Sequence, residues 1–339
     1  MRKLRYLWNR ITNMDYKKMY ETAKIVHQRC GKNTLATMAD MIWCGFKYMA
    51  GYMDYLVFEF YRLNRKQRAT YVTRGVNDRI VRALNQEEYR ECFHDKIKFF
   101  RLFSNYLGRE WMDLRDHTAE DFALFLEKAD RIVVKPIDGT GGKGIEMHDV
   151  AEIDDPTSFF ERVVKEKKYL VEQYVTQHHE ISEIYPRSVN TIRLVTILSG
   201  DEVHLVFSSI RIGNGKTVDN LNSGGMAAIV DETTGCISTV AADKEGKIYT
   251  EHPYTGTTIV GKRIPMYEEA VAMVKEAARV VPQIRYVGWD VAITEEKPIL
   301  IEANYFPGHD IYQFQVHLKE DRIGLLPKFR QALENENLF

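Results

Sequence analysis

Two groups of residues in this sequence are spaced for chemistry. The first is Lys135, followed by Asp138-Gly139-Thr140-Gly141-Gly142-Lys143-Gly144. A lysine closing a β-branched run, then four glycines within six residues, suits a nucleoside triphosphate. Glycines let backbone N–H groups approach phosphate oxygens, and the lysines add positive charge. No Ser or Thr follows Lys143, and the spacing is not G-x-G-x-x-G, which sets aside the P-loop and dinucleotide fingerprints. The competing reading is a hairpin turn with incidental lysines. The second group is Trp289-Asp290 and then Ile299-Leu300-Ile301-Glu302-Ala303-Asn304. On adjacent strands Asp290 and Glu302 can share a face, and Asn304, two residues on, points the same way. Two carboxylates and an amide oxygen make a hard oxygen set of the kind Mg²⁺ takes. The alternative is a solvated edge strand, but acids set among such apolar runs require partners. A weaker third element is Val171-Glu172-Gln173-Tyr174-Val175 with Glu180 beyond it. Its backbone suits an adenine edge and a nearby carboxylate suits ribose hydroxyls.

The elements that must hold these residues follow from periodicity. Residues 1–118 read as helices, with apolar residues at helical spacing and no proline. From Arg131 the pattern changes to strands over 131–136, 168–175, 191–198, 203–212, 227–230, 286–293 and 298–302. Helices are expected over 156–165, 267–281 and 321–335. This is an α+β chain with antiparallel sheets and a helical front end.

Composition bounds the rest. At 339 residues the chain exceeds one usual core, so two or three lobes are expected. Its 47 basic and 48 acidic residues balance, which points away from nucleic acid. Cys30, Cys44, Cys92 and Cys236 form no C-x-x-C pair, so neither a zinc site nor a disulfide framework is indicated. Residues 38–61 are too charged to span a bilayer. Leu4, Leu7, Trp8 and Ile11 share a helical face with Arg2, Lys3, Arg5 and Arg10 off it. Residues 1–11 therefore suit either the protein's own core or the inner face of a membrane, touched from a cytoplasmic location. His178-His179 reads as a solvated linker.

Taken in order, the lysine strand, glycine loop, V-E-Q-Y-V, W-D and I-E-A-N segments resemble the ATP-grasp superfamily over residues 93–313. Glu302-Ala303-Asn304 with Pro307-Gly308 is similar to the end of D-alanine–D-alanine ligase, and Phe93-His94-Asp95-Lys96 resembles an element ahead of its central domain. Nearly the whole chain looks like the sugar-transfer-associated ATP-grasp family, whose members are proposed to act in cell-surface polysaccharide synthesis. That likeness rests on Tyr71-Val72-Thr73-Arg74-Gly75, Ser188-Val189-Asn190-Thr191-Ile192-Arg193, Asp219-Asn220 with Gly224-Gly225, and Pro307-Gly308-His309-Asp310.

The resemblance implies an ATP-grasp fold: a helical region over 1–118, a central lid subdomain over 119–188 and a C-terminal subdomain with the metal site over 189–339. It implies that Lys96 and Lys135 contact ATP phosphates and that Gly141, Gly142, Lys143 and Gly144 form a lid. Glu172 and Val175 would hold adenine, Glu180 the ribose, and Asp290, Glu302 and Asn304 one or two Mg²⁺. Asn220, Asn222, Gly224, Gly225 and Gly308 would line the acceptor site. Two departures stand out. Where such ligases often place an arginine, two residues before the metal aspartate, this chain has Gly288, so Arg193 or Arg211 must supply the charge. The ligase lysine for the terminal phosphate has no counterpart near Asn220. His309 is expected either to orient substrate or move a proton, or to be a hydrogen-bonded structural histidine. The implied activity is ADP-forming ligation of a small carboxylate, such as an amino acid, to an amine, such as an amino sugar, through an acylphosphate. The rivals are a kinase acting on a sugar or small-molecule hydroxyl, and a non-catalytic nucleotide-binding module at a membrane.

Overall fold

The computed structural model describes residues 15–137, 144–334 and 336. The amphipathic start, residues 1–11, and Gly141, Gly142 and Lys143 of the expected lid lie outside the described residues. The chain forms two compact units: residues 1–79 with 313–327, and residues 80–312 with 328–339.

The first unit is helical. Helices α1 (Tyr16–Cys30) and α2 (Thr34–Tyr48) form a hairpin. Asp15 caps α1 by accepting from the Lys18 N–H at 2.9 Å, Gly31 ends it in the left-handed conformation, and Asn33 caps α2. Met19, Ala23 and Val26 recur on one face of α1 and join a core with Met41, Cys44, Phe58, Phe60 and Tyr71. Arg68 donates to both Asp40 carboxylate oxygens at 2.8 Å, closing that core. Gln313 pairs with both the N–H and the C=O of Val72, tying residues 313–327 to this unit.

The second unit holds two antiparallel sheets. Its small sheet comprises β1 (Trp111–Asp113), β2 (Arg131–Lys135), β3 (Glu146–Asp149) and β4 (Leu170–Gln173), in the order β1-β4-β2-β3. Ile132, Val134 and Val171 face α3 (Ala119–Leu126) and α4 (Pro156–Lys165), where they pack with Phe122, Phe125 and Val163. Asp155 caps α4 and Pro156 takes the first helical position. The large sheet contains β5 (Ile192–Ser199), β6 (Glu202–Ile212), β7 (Met226–Val230), β8 (Ala241–Asp243), β9 (Ile248–Tyr249), β10 (Tyr286–Ile293) and β11 (Pro298–Asn304). Its order is β11-β10-β5-β6-β7-β8-β9. Helix α5 (Tyr267–Ala277) packs on one face, where Trp289 is buried against Phe93 and Phe103.

The α+β class and the helical front end are as the sequence indicates. The last helix is shorter than expected: α6 is Leu326–Ala332 rather than 321–335. Pro327 is tolerated only in a first turn, so the helix begins there. All four cysteines are free thiols. Among the described residues no helix is long and apolar enough to cross a membrane.

The small sheet contains a titratable clamp. Burial alone would raise the Glu146 carboxyl, but hydrogen bonds from Lys168, His148 and Arg162 outweigh it and hold the group at about 2. A carboxyl lowered on folding stabilises above its unfolded value, 4.5 here, and loses that contribution as pH falls toward 2. Allowing for partial exposure, Glu146→Gln is expected to cost about 1–2 kcal/mol at pH 7 and almost nothing near pH 2. Urea midpoints at the two pH values check this.

Candidate functional site

A cleft enclosing about 850 Å³, its open mouth included, lies between the two sheets of the second unit. One wall is the face of the small sheet turned away from its helices. β2 alternates, so Val133 and Lys135 point into the cleft while Ile132 and Val134 point to the helices. Met147 and Glu172 stand opposite Val133 on its two neighbours and share its face. The other wall is the large sheet, with Asp290, Glu302 and Arg211, and the loop residues Thr217, Val218, Asp219 and Asn220.

Sheet register assembles the charged cluster. Asp290 on β10 pairs with Arg193 on β5 and Glu302 on β11. Arg193 pairs with Ser209 on β6, and Arg211 lies two residues further along, so all of them share one face. A β-bulge interrupts β11: Glu302 opposes Asp290 and Leu300 opposes Val291, leaving Ile301 extra. Arg193 donates to both oxygens of Asp290, with Nη2 at 2.8 Å from Oδ2, and Arg211 Nη1 reaches Oδ2 at 2.7 Å. Arg211 also meets Asp219 at 3.2 Å. Asp219 in turn accepts from the backbone N–H and hydroxyl of Thr191. Both arginines therefore converge on Asp290, where the resemblance called for one. The missing residue at Gly288 has a geometric reason: a Cβ there would lie 3.4 Å from Arg193 Cδ and 3.2 Å from Pro307 Cβ. Arg193 crosses that space from the neighbouring strand.

The two acids differ in state. Burial would raise Asp290, but its two arginines outweigh burial and hold it well below the usual carboxylate range. Glu302 is raised, first by the protein packed around it and next by the Asp290 charge. It lies deep in the molecule yet is exposed, because it opens onto the cleft. The Asp290 charge beside it thus sets the two acids apart, one held ionised by its arginines and the other pushed up. This donor set fits a hard divalent cation: Asp290 is the inner, anchored acid, and Glu302 presents its oxygens to the cleft. Asn304 is on the same face opposite Gly288 and does not line the cleft.

Across the cleft, Lys135 pairs with Glu172 through Nζ, and Arg109 holds the same carboxylate, Nε at 2.8 Å and Nη2 at 2.6 Å. Burial would raise Glu172, but these two cations outweigh it and lower it. Arg109 also donates to the carbonyls of Leu107 and Leu300 at 2.9 and 2.7 Å. Sequence reasoning missed Arg109, which has no motif around it, and did not give Asp219 a role.

The remaining candidates divide. Val175 and Asn220 line the cleft. Lys96 does not, and its Nζ reaches the Ile137 carbonyl at 3.4 Å. Gly144 takes a left-handed φ of 75° ahead of β3. Asn220 accepts from the Asn222 N–H, and Asn222 takes a hydrogen bond from Lys244. Gly225 packs so closely that a Cβ would meet the Asp219 carbonyl at 2.4 Å, and Gly224 has φ of 94°. Gly308 is exposed and His309 buried, and neither lines the cleft. Glu180 lies in a separate depression with Arg263, Pro265 and Met266. His178 and His179 stack beside Glu295. The Glu180 N–H donates to His178 Nδ1 at 3.2 Å, which places the proton on Nε2 facing Glu295. That is a hydrogen-bonded helix cap rather than a ligand set.

Comparison with known proteins gives one family: a model described as sugar-transfer associated ATP-grasp matches residues 75–321. No curated protein matches the chain. Among solved structures, a D-cycloserine synthetase aligns with TM-score 0.43 and 14% identity, over 76% of this chain and 74% of that one. An ATP-grasp ligase complexed with its minimal precursor aligns with TM-score 0.43 and 12% identity, over 79% and 70%. The D-alanyl-alanine synthetase A of Vibrio cholerae aligns with TM-score 0.43 and 12% identity, over 72% and 64%.

Proposed function

The chain belongs to the sugar-transfer-associated ATP-grasp family, and from that premise we propose that it is an ATP- and Mg²⁺-dependent ligase joining a small carboxylate to an amine. One observation carries the reading. A single cleft has an ammonium group, Lys135, on one wall and the acid pair Asp290 and Glu302, with Arg211, on the other. Phosphoryl transfer depends chiefly on positioning and charge, and this is where both are concentrated.

In this reading the base lies among Val133, Met147, Val175, Val189 and Ile301, the apolar part of the lining. Lys135 turns from Glu172 to the phosphates, and Arg109 keeps Glu172 neutralised as it does so. Asp290 and Glu302 would hold Mg²⁺, which when bound offsets charge on phosphate oxygens. An oxygen of the acceptor carboxylate attacks the γ-phosphorus, and the bond to the departing ADP oxygen breaks. The amine nitrogen then attacks the acyl carbon of the acylphosphate. Phosphate leaves and the nitrogen loses a proton. Arg211 stabilises the developing charge: it lines the cleft, and its buried Nε has no hydrogen-bond partner among the described residues.

Where the resemblance finds no ligase lysine near Asn220, this chain has Lys216, exposed and next in sequence to the cleft-lining Thr217. We assign it to the terminal phosphate. Lys216→Met is expected to lower kcat about 10–100-fold without changing the unfolding midpoint, since it removes one exposed charge used at the transition state. Steady-state kinetics and a thermal melt check both halves.

The family context makes an amino acid and an amino sugar the first pair to try. The test is an ADP-release screen of carboxylates against amines, with products read by mass spectrometry. An amide with ADP and phosphate supports the ligase. A stable phosphorylated hydroxyl without amide assigns a kinase instead, and failure to bind ATP removes both.

A further inference from the structure

Charge is divided unevenly along this chain. The described residues of the first compact unit, 15–79 and 313–327, hold 14 Lys and Arg against 8 Asp and Glu, a net of +6, and Arg2, Lys3, Arg5 and Arg10 precede them in the sequence. The second unit holds 29 against 40, a net of −11. The overall balance of −1 conceals a strongly basic helical unit.

The same unit displays apolar side chains. Tyr16, Tyr20, Ile25, Leu35, Trp43 and Met53 are six of the fourteen exposed large hydrophobics among the described residues. Leu35 is 73% exposed and Met53 52%. Tyr16 and Tyr20 lie one turn apart on α1, beside the buried stripe of Met19, Ala23 and Val26. Lys17 and Lys24 fall three before and four after Tyr20, at positions that share its side of the helix. The Lys24 ammonium stands 4.8 Å from the Tyr20 ring centroid. The Arg65 guanidinium, from a later helix, stands 5.3 Å from the ring centroid of Trp43 on α2.

We propose that the exposed surface of α1 and α2 docks on an anionic lipid bilayer. Positive charge is complementary to the anionic headgroups. Tyr and Trp rings carrying basic neighbours suit the headgroup boundary, where one end stays wet and the other is apolar. The aliphatic residues decide against a nucleic acid: Leu35 and Ile25 gain nothing on a phosphate backbone but lose water among acyl chains. This surface is independent of the ligase reading and does not use the cleft.

The test is sedimentation of the full chain with phosphatidylcholine vesicles and with equimolar phosphatidylcholine–phosphatidylglycerol vesicles. The chain should pellet with the second and not the first, and should be released by high salt. Each basic residue near such a surface contributes about 1 kcal/mol, or about fivefold in partitioning. Lys17→Gln with Lys24→Gln is therefore expected to weaken partitioning about 25-fold. Tyr20→Ser should weaken it at unchanged charge. The proposal is overturned if neither vesicle pellets the chain, or if the Lys17/Lys24 and Tyr20 variants pellet like the parent. Binding to a nucleic-acid oligomer without vesicle binding also overturns it.

Discussion

Glu302→Gln is expected to lower ATP turnover about a thousandfold while leaving the protein folded and no less stable. The rate loss follows from its position: Glu302 is the acid that opens onto the cleft, and an amide there cannot supply the negative charge a divalent cation requires. Losing one preorganised electrostatic contact of this kind commonly costs 10²–10³-fold. The stability half follows from the sign of its shift. A carboxyl raised on folding binds its proton more tightly in the native state, so its ionisation works against folding as pH rises. Glutamine never ionises, and its N–H₂ can donate to Asp290. At pH 7 the variant should therefore melt at or above the parent temperature. ADP release and a thermal melt on one preparation are sufficient; unchanged turnover would remove Glu302 from the metal set.

Asp290→Asn should behave differently although the two acids are neighbours. Asp290 accepts from two buried arginines, and Arg193 and Arg211 are 8% and 7% exposed. Removing its charge leaves two guanidiniums facing each other with only Glu302 and Asp219 to offset them. Removing one partner of a buried ion pair typically costs 3–5 kcal/mol, so the urea midpoint should fall by about that equivalent and turnover should vanish. The contrast is the informative part. If both variants were equally stable, Asp290 would not be the anchor of the cluster.

Much of the fold was legible because its signals are local. The boundaries of α4 follow from Asp155, Pro156 and an apolar stripe, and the strand over 286–293 follows from an unbroken apolar run. β3 was not legible: Glu146-Met147-His148-Asp149 has no apolar alternation and becomes a strand only through pairing with β2. The acid pair was readable from hairpin spacing. The convergence of both arginines was not, since it depends on the registers of three strands. Arg109 left no trace because its partner is 63 residues away. Proximity in sequence placed Glu180 with Glu172, but the short helix His179–Ser182 carries it to another depression.

The bulge at Ile301 alters what one strand can carry. In strict alternation, neighbours on β11 would face opposite sides, and an apolar residue next to Glu302 would belong to the core. With the parity reset at that point, Ile301 and Glu302 both border the cleft. One strand thus offers two consecutive handles, one apolar and one ionic. The first can be exchanged to reshape the apolar lining of the cleft while the register that holds the second against Asp290 stays intact.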